Sequence, residues 1–268
     1  MVKIKLGPAG SPAKSTFEGL SRIRELGLHE MEVQFSHGVG MGLPLAKRIG
    51  EERKRIGIEL SVHAPYYINL ASEEKSKIEE SKKRILDSCE RANLMGASPV
   101  VFHPAYFGKR DREETFQLTK DAILDMKKTI RKNHWQVELA PETTGKHSAL
   151  GSLDETIRLV KETRCGMCVD FAHLYARNYG RIDYAEVLDK VYKLKPNDLH
   201  CHFSNIEFTR KGERNHLNLD HRPDFRPLAK ELLHQRKIRT VTIICESPVT
   251  WKDSLKMKKI LESLGHRF

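Results

Sequence analysis

No apolar run in this sequence approaches the ~20 residues that cross a bilayer, and the opening MVKIKLGPAG lacks the longer apolar core of a secretory signal. We therefore expect no membrane association, and a soluble protein of the cytoplasm. Cysteine is scarce: Cys89, Cys165, Cys168, Cys201 and Cys245 are five in number, and most sit within apolar runs. An odd, sparse set of this kind argues against a disulfide scaffold and suits buried thiols in a reducing compartment. Cys165 and Cys168 form a CxxC with no second pair, so we read them as structural rather than as zinc or redox chemistry. Low-complexity linkers and shifts in composition are also missing, and residues 1 to 268 are read as one domain. Acidic residues are in deficit, 36 against 47 Lys and Arg, for a net charge of +11. Either an anionic partner such as nucleic acid or a solvated basic surface accounts for that excess, and charge alone leaves both open.

What is present is an alternation of short strand-like runs with helical patterns. The strand candidates are residues 2 to 6, 30 to 35, 58 to 63, 99 to 103, 135 to 142, 166 to 170, 198 to 203 and 240 to 246. Each is rich in β-branched or other apolar residues, as parallel strands covered on both faces require. Between them, Ser15 with Glu18 and Ser152 with Glu155 fit helix capping boxes, and Gly27, Gly57 and Gly96 stand where helices would end. In segment 112 to 133, Phe116, Thr119, Ile123, Met126 and Ile130 recur every three or four positions, which predicts one packed face. Eight βα units in a chain of 268 residues predict a single (β/α)8 TIM barrel. Residues 205 to 223 form the longest candidate loop, rich in charge and histidine.

Metal-binding residue types gather at the ends of those strand runs: His63, His103, Glu142, Asp170, His202 and Glu246, with His173 three positions after Asp170. A lone histidine at a strand end is more often a hydrogen-bonded structural residue. In a barrel, however, strand C-termini converge on one mouth whatever their separation in sequence, so the set as a whole predicts a metal centre. Imidazoles mixed with carboxylates suit Zn2+ or Mn2+ better than Mg2+ or Ca2+. Glu142 could bridge two cations, and Asp170 with His173 could serve one each. Two or three clustered cations suit phosphate-ester hydrolysis, because they activate water and stabilise the attacking and leaving oxygens.

At these residues the chain resembles the endonuclease IV family of apurinic/apyrimidinic endonucleases, within the wider xylose-isomerase-like barrels, over roughly residues 58 to 250. The motifs VHAPYYINLAS (62 to 72), VFHPAYFG (101 to 108), PETTGKHSALGSLDE (141 to 155), CVDFAHLYARNY (168 to 179), HCHFSN (200 to 205) and IICESP (243 to 248) follow in the family's order. The resemblance implies that His63, His103 and Glu142 hold one zinc, and that Glu142, Asp170, His202 and Glu246 hold a second. A third would use His173 and a downstream Asp-x-His. The aligned stretch here is GERNHLNLD (212 to 220), where His216 matches, Arg214 occupies the Asp position and Glu213 stands one residue away. Two or three zinc ions are thus expected, with Mn2+ as the alternative.

A second departure follows the second strand: QFSHGVGMGLP (34 to 44) lacks the Arg that family members insert at the lesion, and His37 is read as a plain loop histidine. Tyr66 matches the aromatic that supports the damaged nucleotide. The implied activity is cleavage of double-stranded DNA 5′ to an abasic site, with Glu142 and Glu246 as catalytic residues and no obligate protein partner. Residues 64 to 72, 104 to 111 and 205 to 223 would grip DNA, with Lys109, Arg110, Arg112, Arg210, Lys211 and Arg214 as phosphate-contact candidates. Two alternatives stand beside this reading: a sugar isomerase or epimerase using one divalent metal, and a non-catalytic binder of damaged DNA.

Overall fold

In the computed structural model, which describes residues 2 to 268, the apolar runs form parallel strands and the amphipathic segments form helices. In chain order the first half comprises β1 (Lys3–Pro8), α1 (Thr16–Glu25), β2 (Glu30–Gln34), α2 (Leu43–Ile56), β3 (Glu59–His63), α3 (Lys75–Met95), β4 (Val100–Phe102), β5 (Ala105–Tyr106) and α4 (Arg112–Lys132). There follow β6 (Leu139–Pro141), β7 (Ala149–Leu150), α5 (Leu153–Thr163), β8 (Cys168–Asp170), α6 (Phe171–Arg177) and α7 (Tyr184–Tyr192). The last elements are β9 (Asp198–Phe203), β10 (Asn205–Thr209), β11 (Gly212–Leu217), α8 (Phe225–His234), β12 (Thr240–Cys245) and α9 (Trp251–Ser263). Among the described residues, no helix is long and apolar enough to cross a membrane.

Strands β2, β3, β4 and β6 pair in parallel in that order, as do β8, β9, β12 and β1. Single parallel bridges, Ala9 with Glu32 and Glu142 with Cys168, join the two sheets and close the (β/α)8 barrel. Gly7 permits one of these joins: a Cβ there would lie 1.8 Å from the carbonyl oxygen of Glu30, so no other residue lets β1 and β2 approach as they do.

Alternation along the strands sorts the side chains between two environments. On β2, Met31 and Val33, with Phe35 just beyond it, pack in the main core with the helices, and on β9 Leu199, Cys201 and Phe203 do the same. The barrel interior instead receives Glu32, Ser61, His200 and His202 beside a small apolar patch of Val101, Ala140 and Cys168. That polar interior positions the upper layer of side chains at the strand C-termini.

The helix signals also resolve. Ser152 and Glu155 form a complete capping box, whereas at Ser15 the hydroxyl caps the backbone N–H of Glu18 without the reciprocal backbone bond. Gly57 and Gly96 end α2 and α3 in the left-handed region, and Phe116, Thr119, Ile123, Met126 and Ile130 are all buried on α4. All five cysteines are free and buried, and burial pushes the Cys165 thiol up to about 11 and Cys168 well above its usual value.

Two expectations need correction. Residues 135 to 138 lie outside β6, which begins at Leu139, while Trp135 and Val137 only lean on the core. Residues 205 to 217 are not an open loop: β10 and β11 form an antiparallel hairpin turning at Arg210 and Lys211. Its charged and histidine side chains disguise the strand alternation, because one face of the hairpin looks to solvent and the other toward the barrel mouth.

Candidate metal centre

Parallel strands deliver their last residues to one mouth, and seven of the eight candidate ligands singled out in the sequence sit there for that reason. His63, Asp170 and His202 lie at or near the ends of β3, β8 and β9, His103, Glu142 and Glu246 just past β4, β6 and β12, and His173 in the first turn of α6. The eighth, His216, arrives from β11. Donor atoms of His63, His103 and Glu142 lie within 4.8 Å of one another, and so do those of Glu142, Asp170, His202 and Glu246. Glu142 belongs to both sets, one oxygen to each. Its Oε2 is 3.2 Å from His63 Nε2 and 3.0 Å from His103 Nε2, while Oε1 is 3.0 Å from His202 Nδ1 and 3.5 Å from His173 Nδ1.

Two of these rings are also anchored on backbone carbonyls. His63 Nδ1 donates to the carbonyl of Ala64 at 2.8 Å, and His173 Nδ1 to that of Thr143 at 3.0 Å. Carbonyls only accept, so these contacts place a proton on each Nδ1 and turn each Nε2 toward the centre. Asp170 supplies a further sign. One of its oxygens caps α6 by accepting from the His173 backbone N–H at 2.6 Å, but Oδ2 is buried without a hydrogen-bond partner. An orphan carboxylate oxygen is costly in a protein interior, and a cation within its donor set would satisfy it. These residues fit a divalent metal.

Electrostatics divide the carboxylates. Burial alone would raise Glu142, yet the imidazoles of His202 and His103 hold it well below the usual carboxylate range. Glu246 is lowered in the same way, against burial, chiefly by His202. Asp170 goes the other way: burial, with Glu246 and Glu142 nearby, pushes it well above its usual value despite the opposing His173. His63 rises to about 9, because its bond to Glu142 and the surrounding carboxylates outweigh burial. The centre is therefore a dense array of anions balanced by imidazolium, the role a bound cation would take over.

A third group is looser. His173 Nε2 lies 3.2 Å from Glu213 Oε2, and the His173 and His216 rings are 5.3 Å apart at their centroids. On a regular strand, residues 213 and 216 would face opposite sides. Here β11 is irregular: Glu213 pairs with Phe208 but Asn215 with Glu207, so Arg214 is the extra residue of a bulge. The bulge turns both Glu213 and His216 toward the centre and sends Arg214 outward to Glu207 at 3.0 Å. Gly145 completes the arrangement, donating its N–H to Glu213 at 2.7 Å where a Cβ would lie 2.3 Å from the same oxygen.

Tyr66 is half-exposed beside His63, with ring centroids 6.1 Å apart, and Tyr67 next to it is more exposed still. Of the basic candidates, Arg110 pairs with Glu114, Arg112 with Glu155, and Arg214 with Glu207, so these three charges are partly committed within the chain. His37 is exposed in a turn beyond β2. Glu32, missed in the sequence, lies directly beneath the centre; its place in an apolar alternation gave no sign that its face pointed into the barrel.

A closed barrel with histidine and carboxylate donors at its C-terminal mouth defines a class of metal-site enzyme folds. The xylose isomerase-like TIM barrel family model matches residues 20–264, and the chain belongs to that family. It is 35% identical over 274 residues to an uncharacterized protein of Methanocaldococcus jannaschii, covering 98% of each chain. A probable endonuclease 4 of Mycobacterium leprae is 28% identical over 210 residues, 76% of this chain and 79% of that one. Among solved structures, endonuclease IV from Thermus thermophilus superposes with a TM-score of 0.74 at 18% identity, over 97% of this chain and 98% of its own. A D-tagatose 3-epimerase-like protein gives 0.75 at 19% identity, over 98% and 96%. These structural likenesses speak to the fold, which endonucleases and epimerases share.

Proposed function

We propose that this protein is a divalent-metal phosphodiesterase that nicks duplex DNA on the 5′ side of abasic sites. The observation that carries the reading is the divided carboxylate of Glu142, one oxygen toward His63 and His103 and the other toward His202. A centre for one cation has no need of the first pair. In this reading His63, His103 and Glu142 hold one ion, Glu142, Asp170, His202 and Glu246 a second, and His173, Glu213 and His216 complete the group. Bound zinc or manganese would activate water and offset charge on the scissile phosphate.

The chain's own residues do the rest. Glu246, with its side chain 13% exposed, is open to the mouth and would orient the attacking water. Glu142 stays ionised and keeps the two donor sets in register. Tyr66 and Tyr67 offer ring faces to an extrahelical sugar or base, since the bond to be cut is shielded while the nucleotide is stacked. Water adds to phosphorus, the bond from phosphorus to the 3′ oxygen breaks, and that oxygen leaves as a hydroxyl after taking a proton. Nicking of a labelled duplex with a single tetrahydrofuran abasic analogue tests this, because the analogue has no aldehyde for lyase chemistry. Cleavage on its 5′ side by metal-loaded protein is the expected result, and an intact duplex would refute it.

One observation favours a second reading. Glu142, Asp170, His202 and Glu246 form a complete four-residue set by themselves, which would serve a sugar isomerase or epimerase. A metal content near one per chain, with His63→Ala leaving it unchanged, would support that alternative.

A further inference from the structure

Beneath the metal centre, β9 turns two imidazoles into the barrel, one below the other, and Glu32 from β2 meets both across the interior. Its fully buried carboxylate accepts from Ser61 Oγ at 3.0 Å, His200 Nε2 at 3.1 Å and His202 Nε2 at 3.2 Å, and from Gln34 Nε2 at 3.0 Å. Burial would raise this acid, but its histidine partners overcome that and hold it down at about 2. A buried carboxylate is retained at a cost unless donors surround it, and here they do.

We propose that Glu32 is a positioning residue of the metal centre. By accepting the Nε2 proton of His202, it fixes that ring with Nδ1 toward Glu142, Asp170 and Glu246 and so sets their affinity for a divalent cation. The inference rests on the reading of those four residues as metal ligands. Its force comes from a contrast within the centre. His63 and His173 are anchored on backbone carbonyls, and His216 Nδ1 lies 2.7 Å from the hydroxyl of Ser204. Among the described residues of the centre, His202 alone has its far nitrogen on a carboxylate. An anionic acceptor holds the ring more tightly than a neutral one and makes the opposite nitrogen a stronger donor to a cation. Because Glu32 stands on β2, this anchor reaches His202 through the barrel interior and not along its own strand.

A competing arrangement lies close by. Cys168, His200 and His202 also have donor atoms within 4.8 Å of one another, which would suit a cation below His202. However, His200 Nε2 and His202 Nε2 already donate to Glu32, and a nitrogen that carries a proton has no lone pair for a metal.

Zinc alone is a sufficient probe. The full chain, Glu32→Gln, Glu32→Ala and Cys168→Ser would be titrated with Zn2+ against a chromophoric chelator, and loaded with Co2+ to record visible spectra. Thermal melting would verify folding. We expect one site to weaken by about 10- to 100-fold in Glu32→Ala, the range seen when such supporting partners are removed, and by less in Glu32→Gln. Its Co2+ spectrum should change while the His63 and His103 site persists, and Cys168→Ser should keep the parent's zinc content. Should Glu32→Ala not fold, the nearly isosteric Glu32→Gln carries the test through its spectrum. Parent-like affinity and spectra in the folded Glu32 variants would overturn the proposal while leaving the metal centre standing. Loss of the same zinc in Cys168→Ser would overturn it in favour of the lower arrangement. A parent chain that binds no zinc would instead remove the metal reading on which both stand.

Discussion

Two buried glutamates at opposite ends of the barrel, Glu142 and Glu30, behave oppositely. Glu142, 0% exposed at the C-terminal mouth, is held well below its usual pKa because imidazoles meet both of its oxygens. Glu30, 2% exposed, lines a cavity of about 790 Å3 at the strand N-termini with Lys5, Glu59, Glu138 and His200. No side chain among the described residues donates to it, and burial pushes its pKa up to about 7 against the pull of His200. Similar burial thus gives an ionised hub in one place and a protonatable acid in the other. Burial of a carboxylate, or the size of the cavity beside it, is therefore a poor guide to chemistry in this barrel; convergence of donors on it is a better one.

Replacing the hub should have the largest effect. Glu142→Gln is expected to weaken both donor sets and reduce nicking to background, with metal content per chain falling in elemental analysis; full activity would dismiss Glu142 as a bridge. Glu30→Gln should leave metal content alone and change stability instead. The folded-state pKa of Glu30 lies above its unfolded value of 4.5, so the parent loses stability as pH rises from about 4.5 to about 7 and levels off beyond. The full loss is at most roughly 3.5 kcal/mol. Denaturant melts at pH 4.5 and 8 should show Glu30→Gln relieved of that component, and equal slopes in both proteins would show Glu30 to be solvated.

Smaller effects should follow at the hairpin. Glu213→Ala takes away the carboxylate facing His173 and should lower metal content by less than Glu142→Gln does, with the Glu142 sets retained. Its neighbour Arg214 points outward to an exposed partner, so Arg214→Ala should alter stability by no more than about 0.5 kcal/mol. Its nicking rate should stay within a few-fold of the parent's. A large loss in Arg214→Ala would mean that the bulge turns the strand the other way in solution.

Much of the fold was legible because parallel strands covered on both faces must be apolar throughout, and runs such as VTIIC admit few other readings. The mouth followed from topology: once the runs are barrel strands, their last residues converge. The polar interior was hidden. In EMEVQF the alternation of charged and apolar residues looks like a strand with one wet face, whereas Glu30 and Glu32 point into the barrel and the apolar residues pack outward under helices. The bulge at Arg214 was equally silent, since a one-residue change of pairing leaves composition untouched yet reverses which side chains face the site. The hairpin itself was obscured because only β10, with Ile206 and Phe208, keeps an apolar alternation, while β11 is polar almost throughout.

The two single-bridge joins of the barrel bear on how it holds together. One of them, Glu142 with Cys168, lies at the candidate metal centre, and the candidate ligands divide across it: His63, His103 and Glu142 stand at the strand ends of one four-stranded sheet, Asp170, His202 and Glu246 at those of the other. An ion seated among them would act as a hoop around two bundles of staves, clamping the edge where the backbone ladder is thinnest. Occupancy would then be felt as mechanical closure of the whole barrel, and the apo and loaded forms would differ most in how readily those two edges part.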